Sequence, residues 1–70
     1  MHTSATDVRQ EQLQQYEISA AAYEVLALLA TDRSTRREYE LLAAHYRHLA
    51  ARFREALAIH AAALARLTLH

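Results

Sequence analysis

The sequence predicts an all-α fold: a two-helix antiparallel hairpin that dimerises into a four-helix bundle. Three observations carry this expectation. Gly and Pro are both absent from the 70 residues, while Ala occurs 16 times and Leu 11 times. Ala and Leu are strong helix formers, and the usual helix breakers are missing. Two long stretches carry apolar residues at steps of three and four, the spacing of one helix face. One polar segment, "ATDRSTRRE" at residues 30–38, separates them.

Residues 1–6 read as a short disordered lead, followed by a helical hairpin over residues 7–70. Ser4, Thr6 and Asp7 are each suited to cap a first helix at its N-terminus. That helix is expected from about residue 7 to about residue 31. Leu13, Tyr16, Ala20, Tyr23, Ala27 and Ala30 line one side of it. Ile18, Ala22, Val25 and Leu29 line roughly the opposite side at about 100° per residue. The second half of the helix is thus apolar nearly all round, which calls for burial on more than one face.

The break at residues 30–38 offers two starts for the second helix. Asp32 can cap a first turn of Arg33, Ser34 and Thr35, or Thr35 and Glu38 can form a capping box. Either gives a tight helix–helix connection without an αL glycine. The second helix is expected over about residues 33–68. Its apolar seam is Tyr39, Leu42, Tyr46, Leu49, Phe53, Ala56, His60, Ala63 and Leu67, flanked by Leu57 and Leu64. A helix of that length outruns the first, so roughly its last third is expected to lack a neighbour within the chain. Arg36, Glu40, Arg47, Arg54 and Glu55 are expected to form a solvated face.

A two-helix hairpin of this size buries too little surface to fold well alone. With no Cys, disulfides are excluded, which leaves oligomerisation as the natural source of stability. A two-fold dimer would let each overhanging helix end cover the other. Tyr16, Tyr23, Val25, Leu29, Tyr39, Leu42, Tyr46, Leu49, Phe53, Leu57, His60, Leu64 and Leu67 are the expected interface residues.

Charge narrows the functional classes. Eight acidic residues balance eight basic ones, all of them Arg, so the formal net charge is zero. A neutral chain has no broad electrostatic attraction to nucleic acid or anionic membrane. The longest apolar run, "VLALLA" at residues 25–30, is far short of a membrane span. The opening "MHTSATDVRQEQ" has no signal-peptide apolar region. A cytoplasmic protein is expected.

Candidate chemistry is sparse. His45 and His48 stand three apart and could face one metal ion, but a third ligand is missing and both fall on the polar side of the helix. No cofactor or stoichiometric metal is expected. His60 differs, because it lies in the seam, where a histidine can set register or act as a pH switch. "RSTRR" at residues 33–37 is a small basic cluster able to touch phosphates, but Asp32, Glu38 and Glu40 surround it. Ser4, Ser19 and Ser34 lack a His and carboxylate at helical spacing, and a Gly-rich phosphate loop cannot form. An enzyme is not expected.

The motif residues Tyr23, Asp32, Arg36 or Arg37, Tyr39, Leu42, Ala43, Tyr46, Leu49 and Ala50 form the pattern "Y…A…LA…D…R..Y..LA..Y..LA". Over about residues 16–55 this resembles a group of short, uncharacterised helical-hairpin proteins of Alphaproteobacteria. Those proteins often carry Pro after the turn Asp, where this chain has Arg33. The resemblance implies the hairpin fold and no activity. The leading expectation is a non-enzymatic, self-associating interaction module, an adaptor or regulator able to bind another helix. Two alternatives use specific residues: a nucleic-acid-associated regulator acting through the turn arginines, and a metal- or ligand-binding bundle using His45 and His48.

Overall fold

The computed structural model describes residues 5–68. Two helices make up the fold: α1, Ala5–Leu29, and α2, Arg33–Thr68. They lie antiparallel, and among the described residues there is no strand. Helix α1 begins earlier than about residue 7. Ala5 and Thr6 therefore belong to a helix and not to a disordered lead, while residues 1–4 of that lead, Ser4 included, lie outside the described residues. Thr6 and Asp7 fall inside the first turn, so neither is the N-cap. Asp7 suits that place, since a carboxylate in the first turn meets the positive end of the helix dipole.

Helix α1 stops at Leu29, two residues short of the expected end, because Asp32 is committed to α2. The Thr35 amide donates to Asp32 Oδ2 at 2.9 Å, and the Thr35 hydroxyl donates to the same oxygen at 3.1 Å. The Arg36 amide donates to the Asp32 carbonyl at 2.9 Å, the first backbone bond of α2. Asp32 is thus the N-cap, and of the two possible starts the chain uses the earlier one.

The end of α1 is closed without glycine. No residue has a positive φ among those described. The Ala30 amide donates back to the Ala27 carbonyl at 3.4 Å, tightening the last turn. Arg36 then folds its guanidinium over the turn and donates from Nη2 to the Ala30 carbonyl at 3.0 Å. An arginine can satisfy a carbonyl that an αL glycine motif would otherwise satisfy. One side chain of α2 so ties its own first turn to the end of α1.

The helices meet along a seam of small and large residues in alternation. Ala20 and Ala27 of α1, and Ala43 and Ala50 of α2, are the buried residues among those described, at 3–6% exposure. Each pair is seven residues apart, the repeat that keeps one face toward an antiparallel neighbour. Beside them runs a ladder of five rings drawn alternately from the two helices. Tyr39 stacks on Tyr23 at 6.0 Å between centroids, and Tyr23 stacks on Tyr46 at 5.6 Å and 8°. Tyr46 meets Tyr16 at 6.3 Å, and Tyr16 meets the edge of Phe53 at 5.9 Å and 74°. These separations lie within the favourable range for aromatic pairs.

The observed seam of α2 therefore differs from the expected one. Tyr39, Tyr46 and Phe53 belong to both, but Ala43 and Ala50 take the inner places expected for Leu42 and Leu49. Leu42 remains 37% exposed. The physical reason is distance: alanines let the helix backbones approach, and leucines at the same points would hold them apart. The uncovered end of α2 is also shorter than a third of it. Leu57 and His60 are still partly buried, and residues 61–68 are all exposed.

The result is a slab with Cα extents of 58 × 26 × 11 Å, a single helix layer thick. Among the described residues no helix is long and apolar enough to cross a membrane.

The Asp32 cap yields a pH prediction. Its two bonds from Thr35, backbone first and then hydroxyl, hold its carboxyl below the ordinary value of 3.8. A depressed folded value means the cap contributes stability above pH 3.8 that is lost as pH falls through the folded value. Asp32→Asn should melt less steeply than the parent as pH drops below about 4, because it caps without titrating. Asp32→Ala should melt at a lower temperature than both at neutral pH. Helicity by circular dichroism against temperature and pH checks both outcomes.

Candidate functional site

A single-layer hairpin has two broad faces and two outer edges, and here they differ in chemistry. One broad face is charged. Glu24 pairs with Arg47, and Glu17 pairs with Arg54, each across the two helices. The pairs stand over the alanines. Since alanine ends at Cβ, the seam beneath them is hollow. One recess of about 370 Å³ lies over Ala20 and Ala50, and one of about 590 Å³ lies over Ala27 and Ala43, with Glu24 and Arg47 lining both.

The seven-residue spacing of Glu17 and Glu24 matches that of Arg47 and Arg54 in the reverse direction, as an antiparallel register requires. The arginine side chains are 61% exposed. Exposed ion pairs contribute only about 0.2–1 kcal/mol each, so these select the register more than they stabilise the fold. The face expected to be merely solvated thus carries the cross-helix contacts of Arg36, Arg47 and Arg54. For Arg47 and Arg54 the spacing matched to Glu24 and Glu17 was the signal.

The other broad face carries the ring ladder. Along α2 the row Tyr39, Leu42, Tyr46, Leu49 and Phe53 looks out on this side, next to the row that meets α1. The rings and Leu49 are partly buried. At the turn this face ends in a hollow of about 300 Å³, part apolar and part polar, lined by Leu26, Leu29, Ala30, Thr31, Asp32, Thr35 and Tyr39. The outer edge of α1 is apolar: Ile18 and Val25 are each 53% exposed and Leu29 more so, while Leu28, also exposed, borders the recess over Ala27 and Ala43.

The expected interface residues therefore divide. Tyr16, Tyr23, Tyr39, Tyr46 and Phe53 stack on one another across the two helices of one chain, along one side of the alanine seam. Leu42 and Leu49 flank them on the open face. Val25 and Leu29 lie on the far side of α1. Leu64 and Leu67 lie on the uncovered end of α2, and His60 marks the point where covering stops.

The candidate chemical residues are not brought together. His45 and His48 are both exposed on α2, and the His45 ring meets Tyr46 edge-on at 5.6 Å and 70°. Among the described residues no three His, Asp or Glu side chains gather where a metal could sit. Of the turn arginines, Arg36 is occupied at the Ala30 carbonyl, while Arg33 and Arg37 are exposed. Comparison of the chain with protein-family models, with curated proteins and with solved structures returns no match.

The alanine contact predicts a sharp positional effect. Ala43→Leu inserts three carbons where the helices touch and should destabilise by about 1–3 kcal/mol, as overpacking does. Ala51→Leu, on an exposed site of the same helix, should stay within about 0.5 kcal/mol of the parent. With no Trp in the chain, near-ultraviolet circular dichroism reports the tyrosine ladder directly. Its signal should fall in the first variant and persist in the second.

Proposed function

We propose that this chain is a non-enzymatic interaction module of the cytoplasm, an adaptor or regulator that works as a self-associated helical dimer. One observation carries the reading: the hairpin leaves far more surface open than a folded chain of its mass. The accessible surface is 5895 Å². A compact monomer of 8.0 kDa would expose about 4,450 Å². The surplus of about 1,400 Å² per chain, taken twice, is about 2,800 Å² and falls within the range of obligate homodimer interfaces. Much of what is open is apolar, including Ile18, Val25, Leu28 and Leu29.

The character of the site residues supports an interaction role over a chemical one. Paired Glu and Arg side chains, stacked tyrosines and open leucines recognise surfaces; they do not form a nucleophile, base and oxyanion set. Once a dimer is formed, the outer edge of α1 remains for a helix of another protein, which is how an adaptor would act. The readings through the turn arginines or through His45 and His48 have less support, because these residues are spread out or engaged in the hairpin itself.

Light scattering of the pure chain over about 1–100 μM, with helicity read on the same samples, tests the proposal by mass action. The expected result is a helical particle of twice the chain mass at the upper concentrations, dissociating and losing helicity together on dilution. A stable helical monomer throughout the range would contradict it.

A further inference from the structure

The structure distinguishes two broad faces, and the difference indicates how two copies meet. Resting on the self-association proposed above, we infer that the ring-ladder face is the dimer interface, its occupant being the same face of a second copy.

Charge is the first argument. The rows that flank the ladder, from Gln12 through Ser19 to Leu26 on α1 and from Thr35 through Leu42, Leu49 and Ala56 on α2, contain no acidic or basic residue. The opposite face carries Glu17, Glu24, Arg47 and Arg54, already matched within the chain. Burying the first face covers one charged group, the Asp32 carboxylate at the turn, which its bonds from Thr35 already satisfy in part, whereas burying the second would desolvate four. A face whose one charged group sits at its turn end offers little to attract a charged partner, but it is compatible with itself under a two-fold axis.

Shape is the second argument. The slab is 11 Å thick, so the ladder as a whole has a helix layer on one side only. A second hairpin laid on the ladder supplies the missing layer and makes four helices around one core. The open leucines at positions 42 and 49, seven apart, present the repeat that a facing helix pair reads.

The third argument joins two features at opposite ends of the molecule. Leu64 and Leu67 extend on the exposed end of α2. The hollow of about 300 Å³ beside Leu26, Thr35 and Tyr39 lies at the turn. When two copies pack head to tail, the overhang of each comes to the turn of the other, where Leu26, Leu29 and Tyr39 form the apolar part of the hollow beside Thr31 and Asp32. The outer edge of α1, with Ile18 and Val25, stays outside the dimer and remains available.

The test compares the solution mass of the full chain with that of two double variants. Leu42→Arg with Leu49→Arg places charge on the ladder face, and Ile18→Arg with Val25→Arg places the same charge on the outer edge of α1. The first pair should be monomeric at concentrations where the parent and the second pair are dimeric. Dissociation by the second pair, or a dimer that survives the first, would overturn the assignment. A parent chain that is itself monomeric would instead remove the self-association on which the assignment rests.

Because the first pair could disturb the hairpin, thiol protection gives an independent reading. The chain has no Cys, so Leu42→Cys and Ala44→Cys each introduce a single thiol. The thiol at position 42 should react several-fold more slowly in concentrated than in dilute protein, and that at position 44 at the same rate in both. Equal rates at both concentrations for position 42, in a protein that scatters as a dimer, would also overturn the assignment.

Discussion

An alanine side chain ends at Cβ, so two helices that touch through alanines come as near to each other as side chains allow. Ala20, Ala27, Ala43 and Ala50 impose that approach here, and the other features of the hairpin depend on it. At this distance the tyrosines cannot lie between the helices. They turn to one side and stack along the seam. The opposite side is left as a recess bridged by Glu and Arg. Substituting larger residues at the alanine positions would part the helices and remove both the ladder and the bridge.

The turn solves a related problem. A chain without glycine must end one helix and start another within three residues, using only right-handed or extended backbone. Asp32 begins α2 and Arg36 finishes α1. Both bonds are exposed and each is modest. Their value lies in direction, because they set where α2 leaves the turn and so which of its faces meets α1. The ion pairs farther along keep the same register.

Much of this was legible in the residue pattern. The absence of Gly and Pro and the two periodic stretches were readable, and the Asp32 cap was one of two possible starts of α2; the helix begins at Arg33, where that cap places it. The inner row of α2 was harder to read. A pattern weighted by hydrophobicity follows Leu42 and Leu49, yet contact at close range selects Ala43 and Ala50, which contribute little apolar area but permit approach. The stripe containing the leucines is real. It describes a second, open side of the same helix. The role of Arg36 was hidden for a different reason, since a side chain reaching back across a turn leaves no periodic trace.

The ring ladder is the direct consequence of alanine-limited packing, and nuclear Overhauser contacts between ring protons test it most directly. In a mixture of isotope-labelled and unlabelled chains, the account predicts that Tyr23 contacts both Tyr39 and Tyr46, and that Tyr16 contacts Tyr46 and Phe53, all within one chain. Contacts of Tyr23 with Phe53, or ladder contacts seen only between labelled and unlabelled chains, would contradict it. They would mean that the helices pair in another register, or that each α1 packs on the α2 of a different copy.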